Sequence, residues 1–144
     1  MGIFKKLFHS ENGGTDALTL LEKHEKGELD DTEFLRLFGK AEVFHSTPAG
    51  DHKDGGSRLF ILPETEESGF LPVFSSAKRM EEFFKKEGRL GHIIVKRSFR
   101  AVLETADKIN NDNAPIKMGV VIDPGYYGIT VSASNLPVVI DMTK

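Results

Sequence analysis

Hydrophobic positions change their period along this chain, and each change marks an element. Leu18, Leu20 and Leu21 open a helical pattern that Gly27 ends. Asp30, with Glu33 three positions on, reads as a capping-box variant that puts acids where a helix start favours them. Phe34, Leu35, Leu37 and Phe38 then give a second helix its apolar face, and Gly39 is its natural stop. From Ala41 the pattern turns to strands. Glu42 to His45 reads as a strand, followed by a stretch from Ser46 to Ser57 that is dense in turn formers. Arg58–Leu62 and Phe70–Phe74 are apolar runs on either side of the acidic stretch from Pro63 to Gly69, which predicts a hairpin with a longer loop. Pro72 has no amide proton to give a ladder, so an edge or a bulge is expected there.

Ser75 or Ser76 is placed to cap the next helix, with Ala77, Met80, Phe83 and Phe84 inward and Gly88 at its end. Glu81 with Lys85, and Glu82 with Lys86, are i,i+4 pairs in the favourable order. His92 to Val95 is a short strand. Phe99, Val102, Leu103, Ala106 and Ile109 follow at helical spacing until Asn110–Asn113 interrupts it. Met118 to Ile122 is almost continuously apolar, the pattern of a strand buried on both faces. Asp123–Gly128 turns the chain into Ile129–Val131, and Leu136–Met142 fits either a last strand or a short helix beginning at Pro137. Helices and strands interleave too unevenly for a regular βαβ series. The expected fold is α+β, a mixed sheet of about five strands with helices packed on it. Residues 1–40 form a leading segment and a helical pair, and residues 41–144 the core, within one compact domain.

The order of these pieces resembles the SseB N-terminal domain family, named for enhanced serine sensitivity. Val43-Phe44 with Pro48 match its short strand followed by proline. Leu71 to Ser76 (Leu-Pro-Val-Phe-Ser-Ser) match its most distinctive segment, and the helix carrying Met80 and Phe83 follows as it should. Val121-Ile-Asp-Pro-Gly125 with Gly128-Ile129 match its closing turn. The resemblance covers roughly residues 41–140. Ser75 stands where threonine is usual, which keeps a hydroxyl, and Val138-Val-Ile140 stand where the family tends to continue as a polar helix. The resemblance implies an α+β fold. It carries over no catalytic residue and no cofactor.

Composition narrows the function classes. At 144 residues the chain is one domain by default, able to bury about two-thirds of its unfolded surface. Eleven phenylalanines supply most of the aromatic surface for a core, beside two tyrosines and no tryptophan. Without cysteine there are no disulfides, thiolate metal sites or cysteine nucleophiles, and a reducing, cytoplasmic compartment is expected. A net charge of −3 with both signs interspersed gives no field for nucleic acid. No apolar run approaches the ~18 residues of a membrane-spanning helix, and residues 1–9 lack the pattern of a secretory signal.

Each chemical candidate has a structural alternative. His45, His52, Asp51 and Asp54 lie in or beside one loop and have nitrogen and oxygen donors for a metal, but their spacing does not make them converge, and a solvated loop is the expectation. Ser75 or Ser76 with a histidine would make a hydrolase, yet the glycines of a nucleophile elbow are missing and N-capping accounts for the hydroxyls. The same junction offers free amides and a helix dipole, with Lys78 and Arg79 beside them, for a small anion or an acidic side chain. Asp123-Pro-Gly-Tyr-Tyr-Gly128 places Tyr126 and Tyr127 on a loop, either as anchors of a contact face or packed back on the sheet edge. Glu64, Glu66 and Glu67 read as a solubilising loop tip. Ile3, Phe4, Leu7 and Phe8 around Lys5 and Lys6 make a small basic amphipathic turn able to touch an anionic membrane weakly. The expected function is therefore a binding or regulatory module, with Ser75, Ser76, Lys78, Arg79, Asp123, Tyr126 and Tyr127 as its face and a protein or small anionic metabolite as its partner. No cofactor and no metal are expected. A small hydrolase and a membrane adaptor tethered by residues 1–8 are the alternatives. The sequence does not determine an oligomeric state.

Overall fold

A computed structural model describes residues 16–48, 61–88, 92–112 and 116–144. Its elements are helices α1 (Ala17–Glu25) and α2 (Asp31–Phe38), strands β1 (Glu42–Pro48), β2 (Leu62–Pro63) and β3 (Ser68–Val73), helix α3 (Ala77–Lys86), strand β4 (His92–Ser98), helix α4 (Phe99–Asn111), strands β5 (Lys117–Ile122) and β6 (Ile129–Val131), and helix α5 (Leu136–Met142). Each of the first four helices begins at a side-chain cap: Asp16, Asp30, Ser76 and Ser98 each accept the backbone amide three residues on. The Asp30 cap and the helical pair stand where the sequence pattern put them.

The α+β expectation holds. A four-stranded mixed sheet runs β2-β3-β5-β6, and β1 pairs antiparallel with β4. Phe44 and Phe74 exchange two backbone hydrogen bonds of 2.8 and 2.9 Å, joining the pair to the sheet beside the end of β3. Among the described strands only β3 and β5 are parallel, with Pro72 opposite Val121. Pro72 thus lies in an interior strand, correcting the expected edge or bulge. The reason is alternation: Phe74 directs its backbone groups at β1, so Pro72, two residues earlier, points its nitrogen the same way, and no amide is missing from the β3–β5 ladder. The hairpin is real but short, pairing Leu62 with Phe70, and residues 58–60 lie outside the described part.

Strand alternation divides the apolar residues between two cores. Val43, Leu71, Val73, Met118, Val120 and Ile122 face the larger one, closed by α1, α2, α4 and α5 through residues such as Leu21, Phe38, Phe99, Leu103 and Leu136. Phe44 and Phe74 face a smaller cluster with Met80, Phe83 and Phe84 of α3. Gly119 sits where a Cβ would lie 2.4 Å from the Val131 carbonyl and 2.9 Å from the Phe70 ring, so this close passage of strands requires glycine.

The undecided tail is a helix. Leu136 and Ile140, four apart, turn inward while Val138 is exposed, and Pro137 occupies the first turn, where a missing amide proton does no harm. Thr143 is wholly buried beyond it, bonded to the Arg100 side chain of α4.

Asn110, read only as a helix breaker, has a second job. Its side chain accepts from the Met118 amide at 2.7 Å and donates to the Met118 carbonyl at 2.9 Å, imitating a strand neighbour where β5 begins. Asn110→Ala leaves both buried groups unpaired and should lower stability by about 2 kcal/mol in urea unfolding. A loss below ~0.5 kcal/mol would show that water replaces the amide.

Candidate functional site

The parallel strands β3 and β5 end side by side, with Val73 opposite Ile122. The residues that follow, Phe74–Ser76 and Asp123–Gly128, therefore emerge together at the carboxyl ends of parallel strands, where open sheets present ligand-binding loops. The Asp123 amide extends the ladder by donating to the Val73 carbonyl at 2.8 Å. The chain then reverses: Asp123 has φ 49°, a left-handed conformation that aspartate tolerates better than most residues. Its carbonyl accepts from the amides of Tyr126, Tyr127 and Gly128 at 2.9, 3.0 and 3.1 Å. The loop is wound around one oxygen, and Gly125 and Gly128 supply its other left-handed turns.

The Asp123 side chain locks this loop to α3. It is fully buried. Its Oδ1 accepts from the Ser75 amide at 2.7 Å, and its Oδ2 accepts from the Ser75 hydroxyl and from Arg79 Nη1, each at 2.7 Å. Arg79 is delivered there by helical geometry, one turn after the cap: its amide donates to Ser76 Oγ at 3.2 Å. Its guanidinium lies 4.5 Å from the Tyr126 ring centre and 5.3 Å from that of Tyr127, within cation–π range. Burial pulls the Arg79 pKa down, but the hydrogen bond and charge of Asp123 outweigh it, and the net shift is upward. The Tyr126 hydroxyl donates to Glu82 Oε1 at 2.6 Å, which raises its pKa. Burial raises the Tyr127 pKa against the opposing Arg79 hydrogen bond, and the charges of Glu25 and Glu22 on α1 add to the rise. A cleft of about 320 Å³ separates that ring from α1, lined by Glu22, Glu25, Lys26 and Tyr127.

Of the residues expected to form a face, Ser75, Arg79, Asp123, Tyr126 and Tyr127 make one connected cluster. Ser76 is the cap and Ser75 is not. Lys78 is exposed, with no hydrogen bond or ion pair among the described residues. The acid at the α3 start is the chain's own Asp123. The two tyrosines divide the alternatives between them: Tyr126 is 43% exposed, while Tyr127 is half-buried against the core. Glu22, Glu25 and Glu82 were not anticipated. Glu82 meets Tyr126 from 44 positions away, Glu22 and Glu25 come near Tyr127 only through the fold, and surface glutamates carry no local signal of either.

The cluster ties the loop to the start of α3. Ser75 Oγ donates to a carboxylate, and neither serine hydroxyl bonds a histidine among the described residues. His24 instead pairs with Asp31 at 2.8 Å. His45 corrects the loop reading: β1 continues through Pro48, and alternation turns His45 inward with Val43, leaving it only 3% exposed. His9, His52, Asp51 and Asp54 lie outside the described residues. Among the described residues, no three metal-binding side chains converge. A second groove, of about 570 Å³, opens at the far end of β5, lined among others by Ser68, Asp107, Lys117 and Ser134. Among the described residues, no helix is long and apolar enough to cross a membrane. The basic amphipathic turn at residues 1–8 lies outside them.

The family model for the SseB protein N-terminal domain matches residues 15–136. The match begins ahead of α1, so the helical pair lies within the family region, whereas the motifs alone placed its start near Ala41. No curated protein matches the chain.

Proposed function

This chain belongs to the SseB N-terminal domain family, and on that premise we propose that it is a non-enzymatic binding module. Its contact face is the Asp123–Gly128 loop together with the start of α3, and its partner is a protein. The observation that carries this reading is Tyr126, a large aromatic ring left 43% exposed on a loop wound around the Asp123 carbonyl and locked to α3 by the buried Asp123 carboxylate. Aromatic anchors that are rigid before contact lose little entropy on binding, which is why few residues dominate most interfaces. A protein is preferred to a small anion because the Ser75 amide, the Ser75 hydroxyl and the Arg79 guanidinium already serve Asp123. A cytoplasmic setting is part of the proposal, in keeping with a cysteine-free chain.

The test is affinity capture from host lysate with the wild type and Tyr126→Ala. Because Tyr126 is exposed, the variant should melt within a few degrees of wild type. A protein retained by the wild type should be bound at least about tenfold more weakly by the variant. Equal retention of every captured protein would remove this face from the reading. A wild type that captures nothing, yet melts higher in millimolar phosphate, would move the reading to a small anion.

A further inference from the structure

We propose that the cleft between α1 and the tyrosine loop receives a lysine or arginine side chain of the protein partner, a step that rests on the binding-module reading above. Glu22 and Glu25 stand one helical turn apart on α1, so both carboxylates meet the same cleft. Both are exposed, and neither has an ion pair or hydrogen bond among the described residues. The Tyr127 ring closes the opposite side. An aromatic wall facing two carboxylates suits a cation with an apolar stem, since the stem covers the ring while the charged end reaches the acids.

The protein already contains an example of this chemistry. Arg79 lies against the Tyr127 ring and that of Tyr126, with its guanidinium on the Asp123 carboxylate. The loop thus accommodates one guanidinium from within, on ring surface and carboxylate together. Asp123 neutralises that internal cation, so it does not repel a second one. Lys26 also lines the cleft and opposes entry, but two acids stand against it and the lining keeps a net negative charge. A volume of about 320 Å³ lies at the low end for ligand pockets, suited to one extended side chain rather than to a helix or strand.

The experiment uses the full chain and a capped tetra-arginine peptide, with tetra-glutamate as control, followed by amide chemical shifts at low salt. Tetra-arginine should move the resonances of Glu22, Glu25, Lys26 and Tyr127 together, and tetra-glutamate should not. The double substitution Glu22→Gln and Glu25→Gln should weaken the peptide about five- to tenfold without lowering the melting temperature, because both side chains are exposed. Shifts that miss this set, or a double variant that binds undiminished, would overturn the proposal. Capture of a protein that depends on Tyr126, with no response to tetra-arginine, would overturn this inference and leave the binding face standing.

Discussion

Asp123→Ala should lower stability by about 3–5 kcal/mol, the largest loss expected from any single substitution in the loop region. Three consequences add. The Arg79 guanidinium loses its one carboxylate partner among the described residues, in a site where its side chain is four-fifths covered. The buried Ser75 amide and hydroxyl lose their acceptors together. The left-handed φ of 49° passes to a residue with no local hydrogen bond to support it. Two further variants separate these effects. Asp123→Asn keeps the shape and the left-handed tolerance but turns an amide donor or a neutral oxygen toward Arg79, so it should fall between wild type and alanine. Arg79→Met removes the cation instead of stranding it and should cost less than Asp123→Ala. In a double-mutant cycle, a coupling of roughly 2 kcal/mol or more between positions 79 and 123 would mark a buried charged pair. An Asp123→Ala protein that unfolds within ~1 kcal/mol of wild type would contradict the lock.

The same variant bears on function. The Asp123 side chain fixes the residue whose carbonyl gathers the amides of Tyr126, Tyr127 and Gly128. Releasing it frees the loop that presents Tyr126, so Asp123→Ala should lose partner capture even at a temperature where most molecules are folded. Tyr126→Ala, by contrast, should lose capture with little loss of stability. The two variants thus distinguish a face that is deformed from one that lacks its anchor.

Much of this arrangement was legible in the chain, and what was not has a physical reason. Two helix starts were readable because caps act over three residues: Asp30 and Ser76 each bond an amide within one turn. The apolar run from Met118 to Ile122 was readable because burial on both faces leaves no room for polar positions. Pro72 misled because a proline's cost depends on which neighbour its nitrogen faces, which strand order decides and composition does not. The tail stayed open because Leu136, Val138 and Ile140 satisfy a strand period, while Leu136, Val139 and Ile140 satisfy a helical one. Within the site, Ser75, Arg79, Asp123 and the tyrosines could be named from two local segments. Their mutual bonds span 44 and 48 positions, and no periodicity encodes such a distance. His45 failed for a simpler reason. Its strand was expected to stop at the histidine, and three further residues of pairing carry it inside.

That misplaced histidine carries the second large prediction. His45 is 3% exposed, and neither ring nitrogen has a hydrogen-bond partner among the described residues. Burial, followed by the charge of Arg97 on the paired strand β4, lowers its pKa from 6.5 to about 4. Above pH 6.5 the imidazole is neutral in both the folded and the unfolded chain, and the group contributes no pH dependence. Between pH 6.5 and about 4 the unfolded chain holds a proton that the folded protein refuses, so stability falls as pH falls through this window. Below the folded value both states are protonated and the loss is complete, at roughly 3 kcal/mol. His45→Leu removes the titrating group together with two unsatisfied nitrogens, so at pH 7 it should be as stable as wild type or more so. Unfolding measured at intervals from pH 7 to 4 should therefore show the two proteins diverging with acid, the wild type losing about 3 kcal/mol more than the variant. Parallel curves would mean that the imidazole is protonated without penalty, and that water reaches a nitrogen which this packing seals from it.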